Sequence, residues 1–232
     1  MCFVLRTECC LISAELDRLA LLVGEQLPGS FLEVQELPRS AGLKLALINP
    51  DFDDRGLSQV LKNRLMDDPP YWVLCWASGH VQAELLAQEE ICIRGKTVVD
   101  FGSGCGVGAI AAKLAGASRV YALDIDPVAH EVIRVNSALN DVEVFVVSDM
   151  SEIDQKVDLL MAADVLYEAK MYPLLDYFLT CCVNVLVTDS RLKTMPNPQY
   201  HLWKKVDSFS FPDFQEAKEF NSVNVYTAGN WL

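Results

Sequence analysis

Hydrophobic and polar positions follow two different periods along this chain, and the change between them divides it. Leu43, Leu45 and Leu47 alternate with Lys44 and Ala46, which is the period-two signature of a half-buried strand over 42–48. A second such run covers 31–37, and the two are joined through 38–41. Before them, Leu16, Leu19, Leu22 and Val23 recur at helical spacing, predicting an amphipathic helix over 14–27 that Pro28-Gly29 ends. Another helix is expected over 56–66. From residue 67 the pattern changes. Short apolar runs at 97–101, 119–124, 142–147, 157–162 and 183–188 alternate with helical segments at 79–90, 107–115, 128–140 and 168–181. Strands that are apolar on both sides and alternate with helices imply a parallel sheet covered on both faces. Two further β patterns, 206–211 and 222–227, close the chain. The expectation is an α/β fold: an α+β extension over 1–66, facing substrate as a cap, and a doubly wound core over 67–232.

Composition narrows the partners. The formal charge of −13 argues against a broad basic face for duplex DNA, and it suits a basic partner. No run of 18 apolar residues exists, so no membrane span is expected. Arg6, Glu8, Glu15, Asp17 and Arg18 interrupt any apolar core near the N-terminus, against a signal or transit peptide. The eight cysteines include two adjacent pairs, Cys9-Cys10 and Cys181-Cys182, and no C-x-x-C. That pattern predicts no metal site and fits reduced thiols in a cytoplasmic protein.

The chemistry concentrates between Lys96 and Gly116. Val98 and Val99 run into Asp100, a turn with Gly102, Gly104 and Gly106 follows, and an Ala-rich helix comes next. Strand, glycine turn and helix form the nucleotide-binding opening of a doubly wound sheet, where the turn lets a ligand approach the main chain. The dinucleotide fingerprint G-x-G-x-x-G would need glycine at 107, where Val107 stands, so a nicotinamide cofactor is not expected. The pattern present is D-x-G-x-G-x-G. A second carboxylate, Asp124, ends the next strand 24 positions after Asp100 (124 − 100), near the spacing of an acid that accepts ribose hydroxyls. Asp126 before Pro127 reads instead as a helix cap.

These residues resemble the S-adenosylmethionine (SAM)-dependent methyltransferases of the seven-strand class, with a Rossmann-like sheet whose last strand is inserted antiparallel. Asp100, Gly102, Ser103, Gly104, Asp124 and Ile125 are then the cofactor-binding candidates. The resemblance implies that Gly102 and Gly104 line the methionine part and that Asp149, after the third strand, faces the adenine. After the fourth strand, Asp164 and Tyr167 form D-x-x-Y, which looks like the acceptor motif of a group of protein-lysine methyltransferases. The upstream segment P-P-Y-W-V-L-C-W-A-S-G, Pro69 to Gly79, is similar to the entry of the methyltransferases that modify the electron transfer flavoprotein β subunit and of their bacterial relatives. The resemblance covers roughly 43–172 and implies that Trp76 packs near the cofactor, with Asp164 and Tyr167 as catalytic candidates. Trp72 and Trp76 also fit a pair of core aromatics on one helical face.

The same segment carries a competitor. Asp68-Pro-Pro-Tyr71 reads D-P-P-Y, which resembles the signature that DNA and other amino-group methyltransferases carry at the exit of their fourth strand. Here it precedes the first strand of the core, and no DNA partner is expected. The expected activity is methyl transfer to a protein lysine in a basic or lysine-bearing segment, such as an electron transfer flavoprotein subunit. Two alternatives stay open: an N-methyltransferase of the same fold acting on a small molecule or another protein nitrogen, and a non-enzymatic SAM-binding module.

Overall fold

The structure is a computed structural model that describes residues 2–214 and 218–231. Helix α1 (Cys2–Gln26) is followed by a hairpin of β1 (Leu32–Glu36) and β2 (Lys44–Ile48), then α2 (Gln59–Asp67) and α3 (Ala77–Ala87). The core continues with β3 (Thr97–Phe101), α4 (Val107–Leu114), β4 (Arg119–Leu123), α5 (Pro127–Leu139), β5 (Phe145–Val147) and β6 (Val157–Ala163). It closes with α6 (Leu174–Cys181), β7 (Cys182–Asp189), β8 (His201–Asp207) and β9 (Ser222–Gly229).

The main sheet has seven strands in the order β5-β4-β3-β6-β7-β9-β8. β3 to β7 run parallel, and β9 enters antiparallel between β7 and β8. In register, Phe101 stands beside Leu123 on one side and Ala162 on the other. The carboxyl ends of β3, β4 and β6 are thus level, and the loops after them share one rim. The order reverses at β3, the switch point where an open α/β sheet binds ligands.

Buried side chains form layers on both faces. Val98, Ile110, Ile133, Leu159 and Leu186 belong to one cluster, Leu160, Phe178, Val185 and Val187 to a second, and Val99, Tyr121 and Leu123 to a third. The N-terminal extension is continuous with the first: Leu19, Val23, Leu45 and Leu47 pack in the same cluster. Two asparagines, Asn136 on α5 and Asn140 at its C-cap, stitch it further. Asn140 Oδ1 accepts from Lys44 N and its Nδ2 donates to Lys44 O, while Asn136 Oδ1 accepts from Ala46 N. One turn of α5 therefore satisfies the free edge of β2, as a neighbouring strand would.

Several boundaries differ from the sequence expectations. The helix expected over 168–181 starts at Leu174, because Pro173 follows a separate 3-10 turn at Ala169–Met171. The strand expected over 206–211 is β8, His201–Asp207. Its alternation is weak because, as an edge strand, it has exposed or half-exposed residues throughout. Residues 208–211 leave the sheet instead, and Phe211 exchanges two backbone hydrogen bonds with Cys75. The third core strand is short, Phe145–Val147 rather than 142–147. The N-terminal helix extends back to Cys2.

Candidate active site

The glycine turn is held from beneath by Asp100. Its Oδ2 accepts from Ser103 Oγ at 2.6 Å and from Ala109 N at 2.9 Å, so it fixes the turn and the first turn of α4 together. It is buried, and a Cβ on Gly108 would lie 2.7 Å from Asp100 Oδ1, which is why the helix can sit so close. Burial pushes the Asp100 carboxyl up to about 6, aided by the charge of Asp124 and opposed by the two hydrogen bonds. Asp100 and Ser103 therefore bond to each other. Together they shape the turn.

Gly102 has φ +70, and a Cβ there would meet Val165 Cγ1 at 2.7 Å, so only glycine lets the turn pass under the β6 exit. A Cβ on Gly104 would instead project into open space. Above that space stands Asp124. Its Oδ2 accepts from Gly104 N at 2.8 Å and its Oδ1 from Asp126 N at 3.0 Å. Each oxygen keeps a further lone pair for a hydroxyl. Asp126 caps α5 through Val128 N, as its place before Pro127 predicts. Ile125 is 87% exposed beside Asp124, an apolar side chain with no protein cover. Asp149 follows β5 on the same rim. Its Oδ1 accepts from Ser151 N, while Glu152 accepts from Asp149 N, a capping box that holds the acid in place and keeps its carboxyl below the usual range.

The D-x-x-Y segment sits at the β6 exit. Asp164 adopts φ +51, a left-handed conformation that a non-glycine residue keeps only when its surroundings hold it. The holding groups are visible. Asp164 Oδ1 accepts from Ser190 N at 2.9 Å and Ser190 Oγ at 2.8 Å, and Oδ2 accepts from Ser78 N at 3.3 Å. Ser78 lies in the first turn of α3, whose N-terminal N–H groups favour an anion. Asp164 thereby joins the ends of β6 and β7 to the start of α3.

Tyr167 is exposed, and its ring centroid lies 5.8 Å from that of Tyr71. Tyr71 meets Trp76 edge-on at 5.9 Å, and Trp76 Nε1 donates to Tyr71 O at 2.8 Å. Trp72 and Trp76 do not share a helical face: Trp72 is buried in a 3-10 turn, and Trp76 is the half-buried N-cap of α3. The rings of D-P-P-Y and D-x-x-Y, read from sequence as rival motifs, converge on one rim.

The segment that leaves β7, 188–194, matches the family pattern only loosely, and sequence reasoning gave its residues no roles. Asp189 Oδ1 accepts from Arg191 N and Leu192 N, turning the loop so that Ser190 reaches Asp164. The Arg191 guanidinium then lies over Phe220 at 4.5 Å and near Trp76 at 5.9 Å. Burial and the charge of Asp164 push the Asp189 carboxyl up to about 6. Their place directly after a central parallel strand was the signal that could have found them. Among the described residues no group of His, Cys, Asp and Glu has the clustering to hold a metal. Cys105 is buried under the turn. A cleft of about 370 Å³ between Leu43, Leu86, Ile91 and Leu114 lies at the opposite, amino end of the strands.

The sheet order and the glycine turn at its switch point are those of the Rossmann-like methyltransferase fold. Residues 81–172 match the family model of the ribosomal protein L11 methyltransferase (PrmA). Among curated proteins, the chain is 36% identical over 148 residues to the electron transfer flavoprotein beta subunit lysine methyltransferase of Homo sapiens, covering 60% of this chain and 56% of that protein. It is 44% identical over 80 residues to the ribosomal protein L11 methyltransferase of Anoxybacillus flavithermus, covering 33% of this chain and 26% of that one. The chain thus spans about half the length of the first curated relatives it matches. Solved structures share the fold. The ribosomal protein L11 methylase of Lactobacillus delbrueckii subsp. bulgaricus aligns with TM-score 0.50 at 20% identity, over 65% of this chain and 79% of that one. SMU.776, assigned as a methyltransferase and crystallised with SAH, aligns with TM-score 0.54 at 14% identity, over 87% of this chain and 56% of that one.

Proposed function

We propose that the chain is a SAM-dependent protein-lysine methyltransferase. The observation that carries the cofactor is the pairing of Asp124 with the open glycine turn. An acid with free lone pairs, a backbone without a Cβ facing open space, and the uncovered Ile125 together fit a nucleoside. Asp124 would accept the ribose hydroxyls, Gly102 and Gly104 would line the methionine part, and Ile125 and Asp149 would border the adenine, with Trp76 nearby. SAM, when bound, supplies a methyl group activated on a sulfonium, so the protein needs no metal or covalent intermediate.

The acceptor side is read from Asp164 and Tyr167. A lysine arrives protonated, with an unperturbed pKa of about 10.4, and must lose that proton before its lone pair can attack. Asp164, held by Ser190 and Ser78, presents a carboxylate in one orientation, which directs an incoming ammonium. Tyr167 forms the wall beside it. The rest is proximity and alignment of the nitrogen. Both groups of named relatives methylate proteins, which supports a protein acceptor, and the lysine assignment rests on the flavoprotein β-subunit enzymes. No helix among the described residues is long and apolar enough to cross a membrane. We further propose as acceptor a basic or lysine-bearing protein segment such as an electron transfer flavoprotein subunit, and a cytoplasmic location, which the spacing of the cysteines, with no C-x-x-C, supports. Incubation with methyl-labelled SAM and a cell lysate tests this reading. A labelled protein band supports it, and label confined to small molecules would move the acceptor out of the protein class.

A further inference from the structure

Asp189 ends β7 fully buried, yet only half of its carboxyl is used. Oδ1 accepts from Arg191 N at 2.8 Å and from Leu192 N. Oδ2 is buried with no hydrogen-bond partner. A turn alone does not require this residue. A serine hydroxyl accepts from the same backbone N–H groups in such turns and strands no second oxygen in the core. A buried polar atom without a partner costs stability, so its presence calls for an explanation beyond the turn.

The explanation lies one residue on. Ser190 follows Asp189 directly, and its N and Oγ both donate to Asp164 Oδ1, at 2.9 and 2.8 Å. The Asp164 backbone is tied to the same strand end, its N donating to Thr188 O at 3.0 Å. Thr188 Oγ1 in turn donates to Ser78 O at 3.1 Å, on the α3 turn whose N–H also reaches Asp164. Successive strand residues point to opposite faces, so Thr188 serves α3 while Asp189 bends the chain from the other side. Asp164 keeps its φ of +51 because these bonds hold it. Burial and then the charge of Asp164 push the Asp189 carboxyl up to about 6, opposed by the Leu192 and Arg191 N–H groups and by the Arg191 charge. Tyr226, on β9, feels the Asp189 charge in turn. Once ionised, Asp189 is the stronger acceptor for its two backbone donors.

We propose that Asp189 is a positioning residue for methyl transfer: its carboxylate tightens the loop after β7, so that Ser190 holds Asp164 in the orientation that directs the acceptor. This rests on the reading of Asp164 given above and adds the residue behind it. Asp189 touches neither acceptor nor cofactor, and it acts through the Ser190 N–H and hydroxyl. Its charge also stands behind that of Asp164, at the ends of two neighbouring parallel strands, and adds to the pull on an ammonium. The neutral acid keeps the turn with weaker bonds, so the grip on Asp164 loosens as Asp189 takes up its proton.

The test follows the full chain and its Asp189→Asn and Asp189→Ala variants across a pH series, by two readouts. The first is single-turnover methylation of an electron transfer flavoprotein β subunit. At about pH 8, Asp189→Asn should react ~5-fold and Asp189→Ala ~20-fold more slowly than the parent, with unchanged S-adenosylhomocysteine affinity. At about pH 5 the parent and Asp189→Asn should converge, because the parent acid is then neutral. Deprotonation of the acceptor lysine scales every rate alike and cancels in the ratio. The second readout is the chemical shift of the Ser190 backbone N–H, which needs no acceptor. It should titrate near 6 in the parent and lose that step in Asp189→Asn. A parent-to-Asn ratio independent of pH, parental turnover in Asp189→Ala, or a Ser190 N–H without that step would each overturn the proposal. Where Asp189→Ala does not fold, the Asp189→Asn series decides alone. No methylation by the parent would overturn the lysine reading instead, and the Ser190 N–H would then decide whether Asp189 governs the grip on Asp164.

Discussion

The backbone N–H of Gly104 donates to Asp124 Oδ2 across 2.8 Å, so the end of β4 and the turn after β3 are locked to one another before any ligand arrives. Preorganisation of this kind lowers the cost of ordering a binding site on association. Asp124→Ala removes both the acid and the tie. SAM affinity should fall by about 1.5–3 kcal/mol, the scale of a hydrogen bond to a charged group. Calorimetry on the folded variant reads this directly. Undiminished affinity would take Asp124 out of the ribose site.

Asp164 offers a second separation. Three donors converge on its two oxygens, so Asp164→Asn not only removes the charge but also points an amide N–H at one of them. Turnover should fall about 100-fold, or roughly 2.7 kcal/mol of transition-state stabilisation, while SAM affinity stays near that of the parent. Ser190→Ala leaves the carboxylate charged and removes one donor, and its loss should be several-fold smaller. Single-turnover methylation, with SAM binding measured separately, distinguishes these. An Asp164→Asn enzyme with parental turnover would make the D-x-x-Y match a coincidence.

Stability should carry the mark of Asp100. Its carboxyl is pushed up to about 6 in the folded chain, against about 3.9 when unfolded, so the folded state holds the extra proton between those values. The stability this group contributes is complete below about pH 4 and is lost as pH rises through about 6, an effect on the order of 2–3 kcal/mol. Asp189 has the same sign and is present in both proteins, so the comparison with Asp100→Asn isolates one group. Urea titrations at steps between pH 4 and 7 should show the parent losing stability relative to the variant as pH rises. Parallel curves would mean that the Asp100 carboxyl is ionised throughout that range.

Much of this was legible in the sequence, for identifiable reasons. The central strands announce themselves because burial on both faces leaves them almost wholly apolar, and the glycine turn because few other residues can take its conformation. The Asp126 cap and the inserted last strand were also visible. Local pattern failed where tertiary partners decide. β8 is an exposed edge whose Lys204 and Lys205 read as solvent, and Phe211 borrows β character from a bridge to Cys75. Asn136 and Asn140 read as helix polars, yet they bond across 90 and 96 residues to β2. The site shows the same division. Asp124 and Asp164 stand at strand ends and could be found by position. Ser190 and Asp189 gain meaning only when the rim is assembled, and D-P-P-Y misleads because its tyrosine packs against that of the motif it was weighed against.

Association gives a further check on the substrate. With a formal charge of −13, capture of a basic protein segment should slow as salt screens the attraction. Stopped-flow capture rates that stay flat from low to physiological ionic strength would remove electrostatic steering from the account.

The most direct measurement takes a purified electron transfer flavoprotein β subunit, adds this protein and SAM, and reads the intact acceptor mass and the modified residue. The account predicts a gain of one or more methyl groups on lysine side chains, abolished by omitting SAM and strongly reduced in Asp164→Asn. A protein that binds SAM with Asp124-dependent affinity but leaves every lysine of this acceptor, and of a whole lysate, unmodified would contradict it.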